Sequence, residues 1–188
     1  MDVSKYEASL DAFCSALNDD QSALLYLACG PGNVPKHILE KHPRFELSGL
    51  DLSEEMVKLA RIYNPSAKFE VYDFRKILAL DHVYDGILCA FLLPHLSKDE
   101  ALQLIADAAL KLNDNGVFYL STMKDDYSKS SYQKGSSGDE LFMHFHESSY
   151  LIEALEENKL ALFYDEKVLS KNEDGSITTD LILIAKKA

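Results

Sequence analysis

Two places in the chain combine residue types that handle a nucleoside. At Leu24 to Asn33, LLYLACGPGN, an apolar run breaks into a turn of small residues and then into a helix. Ala28, Gly30 and Gly32 let the backbone turn sharply and let a ligand approach the main chain, which side chains would otherwise block. SGLDLS then puts Asp51 after a second apolar run, 51 − 32 = 19 residues beyond Gly32. A carboxylate at a strand end and at that spacing can accept both hydroxyls of a ribose. Together the two point to an adenosine-type ligand. An ordinary helix-capping role before Ser53 is the plain alternative for Asp51, and the strand-end position favours the ligand.

Other side chains suit an acceptor or a proton. His95, in LLPHL, follows an apolar run where an imidazole can act as a base or a positioning donor, although a loop residue beside a helix cap explains it too. His144 and His146 are two apart, hence on one face of a strand, and offer a polar substrate wall or the polar face of an exposed strand. No third ligand stands nearby in sequence, so no metal is expected. Tyr127 and Tyr132 line a substrate mouth or anchor a loop by burying one ring face. Cys29 and Cys89 read as small core residues with no redox role.

The elements that position these groups alternate. Residues 4–18 set Tyr6, Leu10, Phe13, Cys14 and Leu17 at helical spacing, an amphipathic helix placed to pack beside the pocket or lid it. Strands are expected at 23–29, 45–50, 67–72, 84–91 and 116–123, with helices opened by Asn33 and Pro35, by Ser53, and by the Ser97–Glu100 capping box. Residues 124–140 carry no apolar period and follow a strand end, and with LFMHFH they make a substrate loop over 124–147. A helix at 149–158 and two strands around a turn at Asp174 and Gly175 complete one α/β unit ending in a hairpin.

Composition bounds the partners. A chain of 188 residues with 47% hydrophobic content suits one domain, 1–188, with 1–20 as an N-terminal helical segment. A net charge of −12 opposes broad contact with nucleic acid or an anionic membrane surface, which require a basic face. Three cysteines and a start, MDVSKYEASL, unlike a signal peptide make a cytoplasmic protein the expectation.

These motifs resemble the class I S-adenosylmethionine-dependent methyltransferases from about Ala23 to Lys186. YLACGPGN is similar to the family's glycine-rich first motif, SGLDLSEEM to its ribose-binding second strand, FEVYDF to its third and DGILCAFLLPHL to its fourth. The resemblance implies a Rossmann-like three-layer sandwich, with a seven-stranded sheet in the order 3-2-1-4-5-7-6 and an antiparallel last strand. It implies S-adenosylmethionine as cofactor, S-adenosylhomocysteine as product and in-line methyl transfer to a small-molecule acceptor. Carried over by position, Ala28, Cys29, Gly30 and Gly32 line the methionine portion, Asp51 takes the ribose, and Leu52 and Met56 pack near the adenine. Asp73 accepts from the adenine amino group with Phe74 beside the ring, or caps the helical stretch after it, and Ala90 and Phe91 close the other side. Tyr26 departs from the family, which usually has Asp or Glu there, and Ala28 replaces its first glycine.

Two rivals remain. A nicotinamide-dependent reductase shares the glycine turn and the carboxylate, but it expects GxGxxG, and Pro35 stands in place of the third glycine. A methyltransferase fold that has lost turnover and serves as a binding or regulatory protein is motivated by Tyr26.

Overall fold

The computed structural model describes residues 3–18, 20–134, 140–171, 175 and 177–188. Five helices, α1 (Glu7–Ala16), α2 (Asn33–Lys41), α3 (Glu54–Tyr63), α4 (Lys98–Lys111) and α5 (Ser148–Glu157), flank a seven-stranded sheet. Its strands are β1 (Ala23–Leu27), β2 (Glu46–Asp51), β3 (Lys68–Val71), β4 (Tyr84–Ala90), β5 (Leu112–Met123), β8 (Leu160–Lys171) and β9 (Ile177–Lys187). Two short strands, β6 (Ser131–Lys134) and β7 (Glu140–Met143), pair apart from it. The main sheet runs β3-β2-β1-β4-β5-β9-β8. Numbered within that sheet alone, this is the order 3-2-1-4-5-7-6 that the resemblance implies. The first five strands are parallel, and β9 is antiparallel to both β5 and β8.

The layering follows from β1. Leu24 and Tyr26 face one side with α1, α2 and α3, and pack with Phe13, Ile38, Val57 and Ala60. Leu25 and Leu27 face the other side with α4 and α5, and pack with Ile105, Ala108, Leu151 and Leu155. A strand buried on both faces has to read as a continuous apolar run, which is why ALLYL lacks alternation. α4 begins where expected: Ser97 Oγ accepts the Glu100 N–H at 3.3 Å and the Glu100 carboxylate accepts the Ser97 N–H at 2.8 Å. Among the described residues no helix is long and apolar enough to cross a membrane.

Three local expectations need correction. Asn33 does not cap α2: Gly32 holds that position at φ +87° and Asn33 is already inside the helix. The left-handed turn needs a residue without Cβ, so the glycine takes the place that composition assigns to the asparagine. The substrate loop is not irregular throughout, since β6 and β7 form a hairpin within it; residues 135–139 lie outside the described residues. His144 and His146 are not on a strand, because β7 ends at Met143. Of the terminal turn, Gly175 is described at φ +84°, and Asp174 lies outside the described residues.

Candidate active site

The connection from β1 goes to β2 on one side, while β4 pairs with β1 on the other, so a crevice opens beyond the carboxyl ends of β1 and β4. Both strands leave the sheet there through non-glycine residues in the left-handed region, Ala28 at φ +52° and Phe91 at φ +57°. Each costs about 1–2 kcal/mol over an ordinary conformation, and such strain gathers at ligand sites. Phe91 is held in place by its N–H, which donates to both the carbonyl and the hydroxyl oxygen of Ser121 at 3.1 Å.

A cavity of about 400 Å³ occupies the crevice, lined by residues that include Ala28, Asp51, Leu52, Phe74, Phe91 and His95. Asp51 braces its wall. One carboxylate oxygen accepts the Gly30 N–H at 2.8 Å and the other accepts the Ser53 N–H at 2.9 Å, so the side chain ties the glycine turn to the start of α3. A carboxylate oxygen has two lone-pair directions, and each oxygen therefore keeps one for a further donor. Leu52 stands 56% exposed on the same wall and offers it an apolar surface.

The two glycines of the turn differ. A Cβ on Gly30 would meet nothing within 4 Å, so the backbone lies open to a ligand. A Cβ on Gly32 would come within 2.5 Å of the Asn64 amide and 3.1 Å of the Ala60 Cα. Asn64 in turn donates to the Gly32 carbonyl at 3.0 Å, so Gly32 serves the packing of the turn on α3.

Other site candidates fall outside the cavity wall. Cys29 and Ala90 are buried beneath it, and the Cys29 thiol is pushed up to about 12 by burial, then by Asp51. Met56 sits in the first turn of α3, where its N–H is capped by Ser53 Oγ at 3.3 Å. Asp73 caps the turn at Phe74–Ala79 and grips Arg75 through two contacts of 2.9 and 3.0 Å. The side-chain bonds from Arg75 hold the Asp73 carboxyl below its ordinary value. Arg75 also lies over the Phe74 ring, 5.9 Å from its centroid. Tyr26 is buried, and desolvation raises its phenol well above the ordinary value, with the nearby Cys29 thiol adding to the rise.

The acceptor candidates cluster at the rim. His95 lies on the turn Leu93–His95 and lines the cavity, and partial burial followed by the nearby His144 lowers its pKa. His144 donates its backbone N–H to Pro94 O at 2.8 Å, and its ring stacks with Tyr127 at 5.8 Å and 20°. His146 has a different task. It is fully buried, its Nε2 donates to Leu93 O at 2.8 Å, and its Nδ1 accepts from the Tyr150 hydroxyl. It fastens the inserted hairpin to the sheet. Tyr132 lies further out on the hairpin, edge-on to Phe142 at 5.2 Å. Sequence reasoning missed two contacts. Tyr6 donates to the buried Asp180 carboxylate at 2.8 Å and packs edge-on against Phe91 at 5.0 Å, tying the N-terminal segment to β9 over the end of β4. Their separation of 174 residues leaves no local signal. No group of three or more His, Cys, Asp or Glu among the described residues is arranged to hold a metal ion.

A second cleft of about 460 Å³ lies beyond β5, lined by Lys124, Asp125, Asp126, Thr178 and Thr179 among others. It shares no residue with the crevice at the glycine turn.

The fold is an α/β domain of the doubly wound type, with its crevice at the carboxyl ends of β1 and β4. A methyltransferase-domain family model matches residues 24–116. A trans-aconitate 2-methyltransferase of Enterobacter sp. (strain 638) is 34% identical over 106 residues, which are 52% of this chain and 41% of that protein. The chain thus matches less than half the length of that relative. Among solved structures, an S-adenosylmethionine-dependent methyltransferase from Clostridium acetobutylicum superimposes with a TM-score of 0.78 at 16% identity, over 100% of this chain and 93% of the other. A Burkholderia thailandensis 1,6-didemethyltoxoflavin-N1-methyltransferase does so at 0.72 and 20% identity, over 100% and 80%. Residues 24–116 thus match a methyltransferase-domain family, and the chain has the fold of S-adenosylmethionine-dependent methyltransferases.

The residues present fit that family's cofactor. The open face of Gly30, the free lone pairs of Asp51, the bare apolar surface of Leu52 and a cavity of about 400 Å³ suit a nucleoside.

Proposed function

We propose that the protein transfers a methyl group from S-adenosylmethionine to a small-molecule acceptor. The observation that carries the reading is Asp51, a carboxylate on the cavity wall locked in place by the Gly30 and Ser53 N–H groups. In this reading Asp51 accepts the ribose hydroxyls, Leu52 and Phe74 flank the adenine, and Ala28 and Phe91 border the reacting end. The bound cofactor supplies an already activated methyl group, so the protein chiefly aligns the nucleophile and excludes water. His95, held neutral by its lowered pKa, can take a proton from an acceptor that must lose one.

Two relatives that act on small molecules by name, the trans-aconitate and didemethyltoxoflavin enzymes, support the acceptor class. The acidic surface weighs against nucleic acid. Against the nicotinamide reading stand Pro35 and the antiparallel β9. Tyr26 favours one second reading, a binding protein without turnover. Incubation with methyl-labelled S-adenosylmethionine and a panel of phenols, amines and carboxylates separates them. Label transferred to any acceptor supports the enzyme. Tight S-adenosylhomocysteine binding with no transfer across the panel favours the binder.

A further inference from the structure

The segment inserted between β5 and α5 carries aromatic rings where solvent should discourage them. Tyr132 is 71% exposed, Leu141 53% and Phe142 40%, all on the β6–β7 hairpin. An isolated two-stranded hairpin is marginal in water, so this one depends on its anchors. The His144 N–H donates to Pro94 O at 2.8 Å, the Phe145 N–H to Ser130 Oγ at 3.1 Å, and buried His146 bonds to Leu93 O. The first and third fix the hairpin beside the turn whose His95 lines the cavity, and the second closes the base of the insert on itself. The rings run outward without a break: His144 stacked on Tyr127, Phe142 edge-on to His144 at 4.9 Å, and Tyr132 edge-on to Phe142.

Hydrogen bonding also ties down one side of His144. The Tyr127 hydroxyl oxygen accepts the Lys98 N–H at 3.2 Å and lies 3.2 Å from His144 Nδ1, a pair in which either group can donate. With Nδ1 engaged by Tyr127, Nε2 is the ring atom left to meet a ligand, as donor or as acceptor. Nε2 makes no hydrogen bond to any described residue. A ring nitrogen with no hydrogen bond to a described residue thus stands at the edge of an apolar shelf, next to His95.

We propose that this shelf is the acceptor site, and that it selects a flat, ring-bearing molecule with a polar group in reach of His144 Nε2. The inference rests on the methyl-transfer reading for the role of the site, though not for its existence. A polycarboxylate is a poor occupant: Asp51 and Glu100 line the cavity, its Arg75 is already gripped by Asp73, and the chain carries a net charge of −12. Exposed ring faces, by contrast, gain from stacking and from apolar cover.

The test is a titration followed by NMR of the histidine rings and aromatic side chains, with 2-naphthol, its fully saturated analogue decahydro-2-naphthol, and trans-aconitate as probes. Each is run with and without S-adenosylhomocysteine. The expected result is saturable shifts at His144 and Phe142 with 2-naphthol, about tenfold weaker binding of the saturated analogue, and a similar loss in Phe142→Ala. An unchanged Tm and an unshifted His146 resonance show that Phe142→Ala keeps the hairpin anchored; a loss of binding together with displacement of His146 would not count for the shelf. Equal affinity for flat and saturated probes, preference for trans-aconitate, or shifts confined to other surfaces would overturn the proposal. If 2-naphthol binds the shelf but S-adenosylhomocysteine binds nowhere, the methyl-transfer reading fails while the ring-binding site stands.

Discussion

Replacing Asp51 by asparagine changes one atom and removes the charge on which the cofactor reading depends. In the wild type both carboxylate oxygens are in use, one on the Gly30 N–H and one on the Ser53 N–H, and both keep a lone pair for a further donor, which the proposed reading takes to be a ribose hydroxyl. The amide keeps one acceptor and turns the other into a donor facing an N–H. A hydrogen bond to a charged group contributes about 1.5–3 kcal/mol. Losing the charge on two ribose contacts and the geometry of one should therefore cost about 2–4 kcal/mol of binding, with Kd for S-adenosylhomocysteine rising about 30- to 1,000-fold. One backbone N–H also loses its acceptor, which costs about 1–3 kcal/mol of stability and lowers Tm by a few degrees up to about 10 °C. Calorimetric titration well below Tm separates the two effects. Asp73→Asn is the matched control: its carboxylate already serves Arg75 and the cap, so binding should weaken less than about fivefold. An Asp51→Asn protein that binds within threefold of wild type, despite the lowered Tm, would refute the reasoning.

Three further outcomes are expected. Tyr26→Asp, which places a carboxyl among Leu24, Cys29 and Tyr119 and leaves a void, should lower stability by about 3–5 kcal/mol in a denaturant melt; a folded variant with much tighter donor binding would instead mark the present pocket as degraded. Ser97→Ala removes one half of the capping box and should cost about 1 kcal/mol, read as a Tm drop of about 2–4 °C. Burial holds the His146 pKa below its ordinary 6.5, so the unfolded chain binds the proton more readily. The stability that neutral His146 contributes is thus complete above pH 6.5 and is lost as pH falls through its folded pKa. His146→Gln should flatten the stability–pH curve below pH 6.5, and an unchanged curve would remove His146 from this role.

The central strands were legible because they are buried on both faces and therefore stand out as apolar runs, as in ALLYL and in GILCA of β4. The Ser97–Glu100 spacing marked α4 because a capping box is local chemistry. What escaped was set by tertiary contacts. The β6–β7 hairpin has no apolar period, and it is held in place by His144 and His146 reaching residues 93 and 94. Gly32 looked like a ligand-facing glycine, and only its approach to Asn64 and Ala60 reveals a packing role. Asp51 stood out in the sequence because strand end, spacing and carboxylate coincide, and it lies on the cavity wall. Asp73, similar in sequence, differs because Arg75 stands two residues on and closes over it.

Parallel calorimetric titration of the purified protein with S-adenosylmethionine, S-adenosylhomocysteine and NADH bears most directly on the cofactor site. Saturable one-to-one binding of the first two, with no heat from NADH, is the expected result. No binding of either sulfur nucleoside, or binding of NADH in their place, would contradict the assignment of the Asp51 cavity to S-adenosylmethionine.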